Sequence, residues 1–248
     1  MGASQSLQLR LDRAEKTGVL TLTNVGLKEI PEKFLALSHP DSIKSLDLSS
    51  NKISSLPGVV PFPSLRQLNL SSNRMAGIPG GILNLKKLET LNFGSNRLTQ
   101  VPPEICQLSE LKHLIISHNQ LSSLPLELGA LSSLITLDVS HNSLTSLPIT
   151  LGALANLEKL AASHNKLMEL DAHFDKLPKI KLMDFSHNSL KAFPSSILKH
   201  TEVTAIYLSG NPVTQSAFMQ IDGYDDVRTG FLVSLCIGFG SVYRGRIH

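Results

Sequence analysis

Leu134-Ile135-Thr136-Leu137-Asp138-Val139-Ser140-His141-Asn142-Ser143-Leu144-Thr145-Ser146-Leu147-Pro148 is the stretch whose reading decides the fold. Its frame of Leu134, Leu137, Val139, Asn142, Leu144 and Leu147 returns along the chain. Asn51, Asn73, Asn96, Asn119, Asn142, Asn165, Asn188 and Asn211 are spaced by 22 and then six times by 23 residues. A period in the twenties means stacked units that contact only their neighbours, none able to bury its apolar face alone. Leu137 and Val139, two apart, face one side of a short strand, while Thr136 and Asp138 face the other. Asparagine carries a carbonyl and an amide that bond backbone where the chain leaves the strand, so the repeated asparagines read as a ladder. Proline after the last apolar position, at 57, 79, 125 and 148, stops the strand and turns the chain to the outer side.

The frame predicts nine strands, near residues 19–22, 44–48, 66–70, 89–93, 112–116, 135–139, 158–162, 181–185 and 204–208. Outer segments such as 103–111 space apolar residues at roughly helical intervals, which suggests short helical or 3-10 turns. The first unit is degenerate, with Val25 where asparagine belongs, and the 26 residues from Val25 to Asn51 imply an insertion near Ser38-His39-Pro40-Asp41. At Leu170-Asp171 the outer proline is lost, and at Phe193-Pro194 it is present. Open solenoid ends need caps. Residues 1–18 combine an acylation motif with a capping helix carrying Leu7, Leu9, Leu11 and Ala14 and ended by Gly18. Residues 19–213 are the repeats, and 214–227 a partial C-terminal cap with Phe218, Ile221, Tyr224 and Val227 every three residues. Residues 228–248 lack acidic residues, leave the frame, and read as an atypical tail open to disorder.

Composition narrows the function. Charged residues are 17%, the net charge of +3 is dispersed, and there is no Trp, with three Tyr and nine Phe. That is neither the basic field nor the stacking platform of a nucleic-acid binder. The only cysteines are Cys106 and Cys236, without the clustered spacing of extracellular caps. Cys106 is expected to be a buried thiol. No apolar signal-peptide core appears, so the chain reads as cytoplasmic. Phe231–Phe239 is nine residues, short of the roughly 20 a membrane span requires. Met1-Gly2-Ala3-Ser4-Gln5-Ser6 fits the N-myristoylation frame, with Gly2 as the acylated residue and Ser6 at the hydroxyl position. One such chain binds membrane reversibly, on the order of 10⁴ M⁻¹, which predicts partial peripheral association.

Catalytic motifs do not assemble. Gly238-Phe239-Gly240-Ser241-Val242-Tyr243-Arg244-Gly245 matches half of a kinase glycine-rich loop, but the lysine-bearing strand, catalytic-loop aspartate and Asp-Phe-Gly are missing. No cofactor or metal is expected. His118, His141, His164 and His187 each precede a ladder asparagine, and parallel strands about 4.8 Å apart would set them in a column. A column spreads imidazoles that a metal would need to converge. The histidines read first as polar filling, then as a pH-sensitive contact surface, and last as a metal site. Concave positions between the core leucines are the better candidates for holding an unidentified protein partner. Ile115, Ala161, Leu182 and Tyr207 form an expected apolar patch, ringed by Asp138, Asp184, Lys159, His141 and His164. The competing reading is that solitary exposed apolar residues are common.

With Leu-x-x-Leu-x-Leu-x-x-Asn-x-Leu-x-x-Leu-Pro at 23 residues over 17–213, the chain resembles the intracellular leucine-rich-repeat class that includes Ras-associated scaffolds. That resemblance implies an α/β solenoid, curved, with a parallel concave sheet of about nine strands and short helical or 3-10 turns on the convex side. Met1-Gly2, Glu15-Lys16-Thr17-Gly18-Val19, Leu27 to Pro31, Pro103-Glu104-Ile105-Cys106 and Gly223-Tyr224-Asp225 resemble more closely the leucine-rich repeat-containing protein 57 family. These small lipid-anchored proteins have no known catalysis. The resemblance implies acylation at Gly2 and carries over no partner-binding residue. A non-enzymatic adaptor is the first reading, and a regulatory subunit for a phosphatase or small GTPase the second, by fold-level analogy. The family's closing segment continues past Gly-Tyr-Asp with charged and aromatic residues. Here it stops near Val227, where codons for Val227-Arg228 can spell a splice donor, so 228–248 is expected to be intron read-through.

Overall fold

The computed structural model describes residues 3–31, 34, 37–57, 61–213 and 232–234. Nine short strands come from the repeats: β1 (Val19–Thr21), β2 (Ser45–Asp47), β3 (Gln67–Asn69), β4 (Thr90–Asn92), β5 (His113–Ile115), β6 (Thr136–Asp138), β7 (Lys159–Ala161), β8 (Leu182–Asp184) and β9 (Ala205–Tyr207). They pair in parallel, in sequence order, with equivalent repeat positions in register, as in Leu114↔Leu137 and Leu137↔Leu160. All nine fall within the spans expected from the frame. A tenth parallel strand, β10 (Leu232–Ser234), pairs with β9 in the register Val233↔Ile206. These three residues belong to the stretch 228–248, which departs from the leucine frame. Leaving the leucine frame does not prevent parallel pairing, because the ladder is built from backbone groups. Phe218, Ile221, Tyr224 and Val227, expected in a C-terminal cap, lie outside the described residues.

The fold follows from what each coil buries. The middle residue of each of the nine repeat strands points inward, and Leu46, Leu68, Leu91, Leu114, Leu137, Leu160, Met183 and Ile206 are all within 2% of full burial. A second inward row, Leu48, Leu70, Phe93, Ile116, Val139, Ala162, Phe185 and Leu208, lies two residues on. Both rows follow from the period-two alternation of a strand. The convex side is made of 3-10 turns at Pro103–Gln107, Leu126–Ala130, Ile149–Ala153 and Ala172–Lys176, with short helices α2 (Gly80–Leu83) and α3 (Ser195–His200). Ile82, Ile105, Leu128, Leu151, Phe174 and Ile197 close the core from these turns. Adjacent convex turns touch backbone to backbone. A Cβ added at Gly129 would lie 2.3 Å from Thr150 O, and one at Gly152 would lie 2.4 Å from His173 O.

The ladder has a direction. Asn165 Nδ2 donates to Ala162 O in its own coil (3.1 Å) and to Val139 O in the preceding one (3.0 Å), while Leu144 N of the preceding coil donates to its Oδ1 (3.0 Å). The same three bonds recur at Asn51, Asn73, Asn96, Asn119, Asn142, Asn188 and Asn211. Each asparagine therefore satisfies the turn before it. That explains why the first coil tolerates Val25: Asn51 Oδ1 accepts from Val25 N and Leu27 N at 3.1 and 3.0 Å. Ahead of this coil lies the cap, helix α1 (Ala3–Thr17). It buries Leu11 and Ala14 and ends at Gly18, whose φ of +74° suits a residue without Cβ. Arg10 Nη1 donates to Thr21 O, and His39 N of the insertion donates to Glu15 Oε1. Leu9 is 75% exposed on the solvent side of α1. One expectation fails here: Cys106 is half-buried because Ile105 takes the inward position in its tight turn.

Candidate interaction surface

Because the middle residue of each strand is committed to the core, its two flanking residues line the concave face. One row is Ser45, Gln67, Thr90, His113, Thr136, Lys159, Leu182 and Ala205; the other is Asp47, Asn69, Asn92, Ile115, Asp138, Ala161, Asp184 and Tyr207. Leu182 and Tyr207 are half-buried neighbours on β8 and β9, with Ala205 between them in register, while Lys159 is exposed beside Leu182 on β7. Ile115 stands four strands from Tyr207, about 19 Å at sheet spacing, with Asp138, Ala161 and Asp184 between them. Ala161 is 8% exposed, since its one-carbon side chain is shorter than its neighbours in the row. The expected apolar patch therefore narrows to Leu182, Ala205 and Tyr207, with Ile115 apart and Ala161 contributing almost nothing.

The carboxylates in the second row are already engaged. Ser140 donates to Asp138 Oδ1 through its backbone N at 3.0 Å and its hydroxyl at 2.5 Å. Ser186 does the same to Asp184, at 3.0 and 2.6 Å. Ser49 N to Asp47, Ser71 N to Asn69 and Gly94 N to Asn92 repeat the backbone bond. These are Asx turns, in which a short polar side chain captures the N–H two residues on and bends the chain out of the strand. Their signal was present as Asp or Asn two residues before Ser or Gly, a pattern that the reading of Asp138 and Asp184 as contact residues overlooked.

Ahead of each ladder position comes a residue in the left-handed region, whether or not an Asx turn precedes it. Asn24, Ser50, Ser72, Ser95, His118, His141, His164 and His187 have φ between 51 and 56°, and Gly210 completes the series at +70°. Such values are uncommon outside glycine and favour asparagine, aspartate and histidine. The same backbone demand recurs in every coil, so the four histidines project identically. Their rings stack at centroid distances of 3.9, 4.1 and 4.2 Å with interplanar angles of 11, 12 and 16°. Rings so nearly parallel present their nitrogens side by side rather than at one point, a poor geometry for shared metal ligation. Gly210 closes the column, since a Cβ there would lie 2.5 Å from His187 Nδ1. Burial holds the His141 pKa below the usual imidazole value, with His118 and His164 adding to the effect and the Asp138 carboxylate opposing it.

The opposite margin, where the chain enters the strands, is charged. Glu89 lies between Arg66 and Lys112, bonding Lys112 Nζ at 2.8 Å, and Glu158 meets Lys181 at 3.4 Å. Lys112 first and Arg66 second hold the Glu89 carboxyl below its usual range. On the convex side, Asp171 stands where other coils carry proline. It accepts from His173 N at 2.8 Å and pairs with His173 Nδ1, so its pKa is lowered by the backbone bond first. A side-chain cap has replaced the fixed φ of proline. Among the described residues there is no group of three or more metal-ligating side chains, and no helix is long and apolar enough to cross a membrane.

The Leucine rich repeat family model matches residues 18–75, 63–121 and 109–167. A leucine-rich-repeat protein of Leptospira interrogans superposes with a TM-score of 0.74 at 29% identity, over 89% of this chain and 60% of that one. The ectodomain of the Arabidopsis thaliana receptor kinase GASSHO1/SCHENGEN3, in complex with Casparian strip integrity factor 2, gives 0.64 at 28% identity, over 78% of this chain and 23% of that one. The plant peptide hormone receptor RGFR1, in complex with RGF2, gives 0.61 at 26%, over 79% and 38%. The chain thus spans less than two thirds of the length of each of these structures.

Proposed function

We propose that this chain, which belongs to the leucine-rich repeat family, is a non-enzymatic interaction scaffold that holds a protein partner on the concave face of its sheet. The observation that carries the reading is Leu182 and Tyr207. Their backbone positions lie off the core, so their apolar surface serves no packing row, and Lys159 pairs with Leu182 from the neighbouring coil. Apolar groups of this kind, rimmed by polar ones on a preformed surface, suit partner capture. Two of the plant relatives above were solved in complex with a peptide hormone or an integrity factor, which favours the same use of the fold. Asp138 and Asp184 enter this surface through the oxygen their serines leave open, and Ile115 and His141 form a separate margin.

The finer part of the reading is a peripheral membrane tether through a myristoylated Gly2, a residue outside those described. It rests on the amino-terminal motif and on the resemblance to a lipid-anchored family, and Gly2→Ala protein should lose its membrane fraction while keeping its partner. Affinity capture from cells, comparing wild type with Leu182→Ser/Tyr207→Ser, tests the surface. The double variant should keep its circular dichroism and lose at least one partner. Identical partners from two folded proteins would sink the concave reading.

A further inference from the structure

The imidazole column is separate from the Leu182–Tyr207 contact and has its own chemistry. Among the described residues its four rings contact one another by stacking, and none of their nitrogens takes part in a hydrogen bond. We propose that His118, His141, His164 and His187 form a proton-loaded docking rim for an extended, carboxylate-bearing peptide segment, closing on it as the pH falls below neutral. This rim works independently of the scaffold reading above.

Three observations carry the proposal. First, geometry makes the column a continuous row of near-parallel rings, one per coil, with centroid steps of 3.9 to 4.2 Å. An extended peptide rises about 3.3 Å per residue, so about four of its residues run along that row. Second, protonation converts each ring from one donor to two, and adjacent cations about 4 Å apart repel by roughly 1 kcal/mol in water and about 4 kcal/mol at an effective dielectric of 20. The bare rim therefore resists full protonation. Carboxylates beside it offset that repulsion, so peptide binding and proton uptake promote one another. Third, the surroundings bear on proton loading. Asp138 acts on His141 from β6 and favours its charged form, with Oδ1 held by Ser140, while Asp184 on β8 is held likewise by Ser186. His113 and Lys159 extend the basic character across the face, and Gly210 at the column's end adds no side chain to obstruct it.

The test uses the full chain, a fluorescein-labelled hexa-aspartate peptide and a hexa-serine control, with anisotropy read at pH 7.5 and 5.5 in low salt. Affinity for hexa-aspartate should rise about tenfold or more on acidification, with hexa-serine flat, and 150 mM salt should reduce the rise. A variant with all four histidines changed to asparagine, which accepts the left-handed backbone, should keep its circular dichroism and lose the rise. The single changes His141→Asn and His164→Asn should each lessen it, which keeps the test informative if the quadruple variant misfolds. Added peptide should also move the imidazole proton titrations to higher pH. Leu182→Ser/Tyr207→Ser protein should bind hexa-aspartate as wild type does, separating this rim from the concave patch. A wild-type affinity that does not change with pH, or a rise that survives in folded histidine variants, would overturn the proposal.

Discussion

The residue before the ladder asparagine is serine at 50, 72 and 95 and histidine at 118, 141, 164 and 187, yet φ is 54 to 56° in the first set and 51 to 54° in the second. Two different side chains occupy one backbone conformation. The left-handed turn is therefore imposed by the coil, through the N–H bond of this residue to the next coil and the ladder asparagine after it, and not by the residue that adopts it; His118 and His164, which follow Ile115 and Ala161, adopt it without an Asx bond. Freed from a structural task, this position can vary in chemistry. In the first half of the solenoid it presents hydroxyls, and in the second it presents stacked rings, because identical projections repeated at sheet spacing bring planar side chains face to face.

The largest effect should come from the component both halves share. Asn165→Ala strands Leu144 N in a buried site and leaves the carbonyls of Val139 and Ala162 with one ladder bond each, from Asn142 and Asn188. Asn73→Ala does the same to Ile53 N, with Leu48 O and Leu70 O held only by Asn51 and Asn96. Each should cost about 2 kcal/mol, given the penalty for an unsatisfied buried group. Urea unfolding of both variants decides whether the serine and histidine halves rest on the same ladder; a cost at one position alone would break the comparison. Gly210→Ala comes next. It combines a left-handed residue with a Cβ 2.5 Å from His187 Nδ1 and should destabilise by about 2 kcal/mol, while Ser95→Gly, at the serine end, should change stability by less than about 1 kcal/mol.

Acidification gives the smallest effect and the sharpest contrast between the halves. The His141 pKa lies below its ordinary 6.5, so the unfolded chain binds the proton more tightly than the folded one. The stabilisation is present above 6.5 and lost as the pH falls through the folded value. Between pH 7.5 and 5.5, wild type should lose up to about 1 kcal/mol more than His141→Asn, within the range of exposed charge interactions. Paired urea titrations at the two pH values measure this, and equal losses would remove the column from the acid response.

Periodicity made most of the architecture legible. The nine repeat strands, the asparagine ladder and a first-coil cap with Leu11 and Ala14 inward follow from spacing, since a strand's alternation and a solenoid's repeat are properties of consecutive residues. The histidine column was legible as an alignment, but its stacking was not, because ring orientation depends on a positive φ that the residue names only hint at. The same limit explains the misreadings of Cys106 and Ala161. Helix phase and turn geometry decide which of two adjacent apolar groups turns inward, and the sequence alternates them without saying which.

By itself, the sequence determined the coil: its period, which residues form its core, and where polar residues line a concave surface. Only the tertiary structure decided which of those polar residues remain available. Asp138 and Asp184 are bound by serines two residues on, Asn51 satisfies a coil in which Val25 replaces asparagine, and four histidines from separate coils become one surface. The physical reason is that these outcomes depend on hydrogen-bond satisfaction and ring contact at turns and between coils 23 residues apart, where backbone dihedrals and stacking distance select the partner.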